Sequence, residues 1–257
     1  MFQGKFMFYL INHPIIFFLV SLVLLWVSAL LGATVRRWRH RDALENDEDY
    51  SLVLGATLTL LGLLIAFGFS MAVGRYDQRK NYEEEEANAI GTEYVRLDFL
   101  PVTDTDKARA MLRQYLHLRI EYYRRISAEQ LAKNNAATAE LQSRLWAAII
   151  PATSAQPDQL RALVVSGMTD VLNRQGYTQA AFLNRIPIAA WVLMFVIAIF
   201  CNFLLGYRAV GKARAVLLIL PIALSISFYL ISDIDSPRHG VIVVAPQNLE
   251  ILADSLK

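Results

Sequence analysis

Residues 51–74, SLVLGATLTLLGLLIAFGFSMAVG, run without a break into residues 75–99, RYDQRKNYEEEEANAIGTEYVRLDF. The first half carries no Asp, Glu, Lys or Arg, and it exceeds the ~20 residues a helix needs to cross ~30 Å of hydrocarbon. The second half is dense in charge. It nevertheless contains no proline before Pro101 and consists mostly of good helix formers. The junction therefore predicts one helix over 51–99 that leaves a membrane and continues into water, rising ~70 Å at ~1.5 Å per residue.

Working outward, three further stretches also lack Asp, Glu, Lys and Arg: 6–35, 186–207 and 215–232. All 25 basic and 23 acidic residues of the 257-residue chain fall elsewhere. This partition excludes a soluble enzyme, a disulfide-built secreted module and a disordered chain. The single cysteine, Cys201, permits no internal disulfide. A net charge of +2 gives no field that favours nucleic acid. The first stretch reads as an uncleaved span starting near Pro14, because it runs into Arg36, Arg37, Arg39 and Arg41 without a small-residue cleavage site.

The predicted fold is all-α, a polytopic membrane protein with four transmembrane helices and a helical extramembrane domain inserted between helices two and three. Residues 1–74 form the first transmembrane hairpin. Residues 75–186 form the extramembrane domain, continuous with helix two. Residues 187–232 form the second hairpin, and 233–257 a turn and tail. The 75–186 segment carries 15 basic and 14 acidic residues, an ordinary soluble composition. Asp104 and Asp106 open a helix after Pro101, and Met111, Tyr115, Leu118 and Tyr122 recur at helical spacing. Ser127 with Gln130 forms a capping box for a second helix, expected to end before Pro151. Asp158 is expected to cap a third, running to Gly176.

Within the second span, Gly62, Ala66, Ser70 and Gly74 recur every four residues, a stripe that admits close approach of another helix. Such packing serves a bundle within one subunit or a contact between subunits around an axis. Leu61, Ile65 and Phe69 line one flank; Leu63, Phe67 and Met71 line the other. Around an axis, either set makes an apolar constriction that gates by dewetting. Further along, Arg75, Arg79, Glu83 and Glu86 follow on the same helix, as vestibule charges or as a solvated helix end. Asp233 and Asp235, before Ser236-Pro237-Arg238-His239-Gly240, read as a turn after span four rather than a calcium site, which needs six to eight oxygens. Pro221 is expected to kink span four. No metal-ligating group of residues, phosphate loop or cofactor motif is present, the histidines are scattered, and no enzyme activity is expected.

The run 60–80, with Glu86-Ala-Asn-Ala-Ile-Gly-Thr92, Asn184-Arg-Ile-Pro187 and Asp233-Ile-Asp-Ser-Pro-Arg-His-Gly240, resembles a bestrophin-like family of bacterial membrane proteins. More distantly it resembles the bestrophin ion channels, whose second helix also carries a Gly-Phe pair, then small polar residues, an Arg and an Arg-Lys pair. That resemblance implies a homopentamer of four-span protomers in the bacterial cytoplasmic (inner) membrane, with the helical domain in the cytosol. It also implies a pore for small monovalent ions, necked by three residues of the second helix spaced four apart. Aligned on the Gly-Phe pair, these match Leu61, Ile65 and Phe69; counted back from Arg75, the match moves to Phe67 and Leu63. Orientation is contested by charge. The short loops hold seven Lys or Arg, among them Arg39, Arg41, Lys212 and Arg214, and the other span ends also hold seven. The expected function is an oligomeric ion channel; the alternative is a non-conducting membrane-anchored interaction or sensing protein.

Overall fold

The computed structural model describes residues 10–38, 47–154, 156–208 and 216–256. The expected loop charges Arg39, Arg41, Lys212 and Arg214 lie outside the described residues. Helices follow in the order α1 (Pro14–Trp38), α2 (Asp47–Arg96), α3 (Val102–Tyr123), α4 (Ala128–Ala152), α5 (Asp158–Leu183), α6 (Ile188–Arg208), α7 (Ile219–Asp235) and α8 (Gln247–Ser255). Single 3-10 turns, Leu97–Phe99 and Val216–Leu218, precede α3 and α7. No strand occurs among the described residues. Among the described residues, three helical stretches each contain a window long and apolar enough to cross a membrane: α1, α2 and the stretch that ends in α6. The protein is a helical membrane protein.

The junction at residue 75 is continuous. α2 runs 50 residues without interruption, then tightens into the 3-10 turn and stops at Leu100, one residue before Pro101. Proline disfavours helical backbone in the residue before it, so the stop is built into the sequence. By internal contacts the chain forms two compact units, Met1–Arg75 with Arg185–Val243, and Tyr76–Asn184 with Val244–Lys257. The residues grouped as a single tail, 233–257, are thus divided between the two units.

In the first unit α1 packs against α6 and α7. Its closest approach is between glycines. A Cβ on Gly206 would lie 1.8 Å from the Ala29 carbonyl oxygen, and one on Gly32 would lie 2.0 Å from that of Phe203. Beside them Ser28 donates to the Ile199 carbonyl at 2.8 Å, satisfying its hydroxyl across the helix pair. Phe17 meets Trp191 edge-on at 5.2 Å, and Phe195 lies 4.7 Å from Phe228, so rings from three helices fill the adjoining layer. Pro221 sits in the first turn of α7, where its missing N–H costs nothing. It starts the helix rather than kinking it.

The second unit is built on the α3–α4 hairpin. Leu112, Tyr115 and Leu116 pack in one core with Leu141, Leu145 and Ile149 of α4 and with Val164, Met168 and Val171 of α5. The capping box at the start of α4 is complete: the Gln130 N–H donates to Ser127 Oγ, and the Ser127 N–H to Gln130 Oε1. Two predicted boundaries move. α4 continues through Pro151 to Ala152, since a proline in the last turn removes only one hydrogen bond. α5 begins after Pro157 with Asp158 as its first residue instead of its cap, and passes Gly176 to end at Leu183. An internal glycine costs about 1 kcal/mol, less than the burial of Thr178, Ala181 and Phe182 beyond it returns.

Candidate functional site

The membrane part of α2 has two unlike faces. Leu54, Leu61, Gly68 and Ala72 are buried, and Ile65 is half-buried on the same side. A Cβ on Gly68 would meet Met194 Sδ at 3.3 Å and Ile231 Cδ1 at 3.6 Å, so this side rests on α6 and α7. At ~100° per residue, Thr59, Leu63, Phe67, Ser70 and Gly74 fall on the opposite side. All five are exposed. Leu61 is 1% exposed, whereas Leu63 is 52% and Phe67 59% exposed. The two sets of predicted neck residues are thereby separated. Leu61 is buried and Ile65 half-buried on the side that faces α6 and α7, Phe69 lies at the edge with 38% exposure, and Leu63 and Phe67 are open.

Among the described residues, none packs against Gly62 or Gly74 of the small-residue stripe. Gly62, Ala66, Ser70 and Gly74 are all exposed, and a Cβ on Gly62 or Gly74 meets nothing within 4 Å. Small residues do serve helix packing in this chain, but at Gly32 and Gly206. The sequence carried that signal in Ala198, Asn202 and Gly206, also spaced by four.

The predicted vestibule charges are placed differently from expectation. Arg75 is half-buried, but Arg79, Glu83 and Glu86 are buried. Glu86 forms a buried ion pair with Arg119 of α3. The Thr178 hydroxyl donates to Glu86 at 3.1 Å, and the Tyr123 hydroxyl lies 3.4 Å away. Burial works against the Arg119 charge, but Glu86 together with Tyr115 and Tyr123 leaves the guanidinium above its ordinary pKa. Glu83 accepts the Leu249 N–H at 3.0 Å and the Asn248 side-chain amide at 2.7 Å, so a carboxylate on α2 holds the first turn of α8. Burial raises the Glu83 pKa against these two hydrogen bonds. Only Glu84 of the four consecutive carboxylates is exposed; Glu85 pairs with Arg174 of α5. Helical rotation explains this, since four consecutive residues sweep most of the helix circumference and three of them meet other helices.

The turn after α7 is a hydrogen-bonded knot. α7 extends through Asp235, so both acids end the helix instead of following it. Asp233 accepts the Val241 and Ile242 N–H groups at 2.7 and 2.8 Å, closing the turn over Pro237. Gly240 is required there by close approach: a Cβ would lie 2.3 Å from the Asp233 carbonyl oxygen. Asp235 accepts from Arg185 Nε at 3.2 Å and from the Ile186 N–H at 3.2 Å. Arg185 also donates to Asn12 at 2.6 Å, and Ser232 to the Ile11 carbonyl at 2.8 Å. The sequence segments 184–187 and 233–240, 46 residues apart at their nearest ends, thus form one junction that also pins the start of α1. His13 and His239 meet edge-on there at 5.7 Å, a pairing the scattered histidines did not foretell. Among the described residues, no group of three His, Cys, Asp or Glu is placed to hold a metal.

The comparisons with known proteins follow the same outline. A family model described as a bestrophin-like domain matches residues 16–249. No curated protein matches in sequence. Crystal structures of a bacterial bestrophin homolog from Klebsiella pneumoniae share the fold. One, solved by Zn-SAD phasing, superposes with a TM-score of 0.62 at 15% identity, covering 93% of this chain and 95% of that one. A point mutant of the homolog gives a TM-score of 0.66 at 14% identity, covering 93% of each chain. Another gives 0.62 at 16% identity, covering 93% and 95%.

Proposed function

The chain belongs to the bestrophin-like family, and we propose that it is a homopentameric ion channel in which α2 surrounds the axis. Each protomer crosses the bacterial inner membrane four times, with α7 as the fourth span, and the helical unit lies in the cytosol. The observation that carries the reading is the exposed face of α2. An apolar pair, Leu63 and Phe67, and a small-residue stripe are both left open, on the side of the helix away from buried Leu61, Gly68 and Ala72. The stripe accommodates the α2 of a neighbouring subunit, and the apolar pair forms the neck.

The register counted back from Arg75 is therefore favoured over Leu61, Ile65 and Phe69, because a lumen-facing residue cannot also be enclosed in its own protomer. A ring of Phe67 above a ring of Leu63 passes small monovalent ions only when it is wide enough to stay wetted. No reaction is assigned to the protein and no cofactor is needed for this function. Purified protein reconstituted in proteoliposomes is expected to dissipate a monovalent salt gradient. A folded oligomer that supports no flux under any monovalent gradient contradicts the reading.

A further inference from the structure

Glu93 differs from the other acids of α2 between Asp77 and Glu86. It is 0% exposed, and neither carboxylate oxygen has a hydrogen-bond partner. Glu86, seven residues earlier, is equally buried but is met by Arg119, Thr178 and Tyr123. Glu93 instead lies against backbone. A Cβ on Gly167 of α5 would sit 2.0 Å from its Oε2, so only glycine leaves room for the carboxyl group there. Its helix-face neighbours Ile90 and Leu97, and Val164, Met168 and Val171 on α5, are all buried apolar residues.

An unpartnered buried acid is expensive, by about 1–3 kcal/mol even when neutral and by more when charged. The charged groups that face it are few. Arg96 comes from its own helix and lies 2.5 Å from the same Gly167 Cβ position; Asp170 comes from α5. Desolvation dominates, Arg96 opposes it and Asp170 adds to it, so the Glu93 pKa rises from 4.5 to about 8.

We propose that Glu93 is a proton-operated latch between α2 and α5: neutral, it seats against Gly167 and lets the helices close; ionised, it forces the seat open. The latch lies in the helical unit and does not depend on the channel reading. The direction of the effect follows from linkage. Between about pH 4.5 and about pH 8 the folded protein keeps a proton that the unfolded chain has lost. Stability therefore falls as pH rises through that window, by up to about tenfold in the folding constant per pH unit, and levels off above it.

The test uses the full chain in detergent micelles, followed by hydrogen exchange corrected for intrinsic rates. For wild type, α5 amides around Gly167 are expected to lose protection as pH rises from about 5 to about 8 and to change little above that. Unchanged protection overturns the proposal. Glu93→Gln keeps the shape without the charge and is expected to abolish that pH dependence and the slope of melting temperature with pH. A Glu93→Gln profile that tracks wild type also overturns it. Flux measured alongside distinguishes the two claims: a pH-dependent α5 without flux leaves the latch standing and removes the channel.

Discussion

At the scale of single residues, the chain answers buried polarity in two ways, by pairing it or by crowding it against glycine. Glu86 and Arg119 form a buried pair, and removing one member of such a pair costs far more than replacing both by apolar residues. Arg119→Met leaves Glu86 buried without its cation. It is expected to cost about 3–5 kcal/mol of stability, read as a fall in denaturation midpoint, whereas the double change Arg119→Met with Glu86→Leu recovers part of it. Gly206 allows the opposite error. Because a Cβ there runs into backbone, Gly206→Ala must push α1 and α6 apart, an overpacking cost of about 1–3 kcal/mol. A melting temperature unchanged by this substitution contradicts the described contact.

Helices were easier to read from the sequence than these contacts were. Uncharged length and the absence of proline before Pro101 predicted the α2 junction, and Ser127 with Gln130 predicted the start of α4. These signals are local and act within a few residues. Which face of α2 turns inward is not local. Leu61 and Leu63 have the same chemistry and adjoin the same glycine, and only α6 and α7, encoded more than a hundred residues later, decide between them. The fate of Glu83 and Glu86 depends on α8, α3 and α5 for the same reason. Periodicity shows that a helix has faces, but not which partner arrives at each.

At the scale of the element, α2 makes a prediction that separates folding from assembly. Gly74→Leu adds a side chain where the protomer has open space. It is expected to leave helicity and protomer folding intact while shifting native mass spectra from the oligomer to smaller species. Gly206→Leu is expected to lose the fold itself. If Gly74→Leu assembles like wild type, the small-residue stripe does not lie between subunits.

At the scale of the whole molecule, a bestrophin-like chain leaves one face of α2 open. The central claim is that this face surrounds an ion pathway. The measurement that tests it most directly is single-channel conductance in planar bilayers, comparing Phe67→Ala with Leu61→Ala. The account predicts that shortening Phe67 widens the neck and raises conductance severalfold, while Leu61→Ala changes stability and leaves conductance near wild type. Conductance that responds to Leu61 and ignores Phe67, or that is absent from a folded wild-type oligomer, contradicts it.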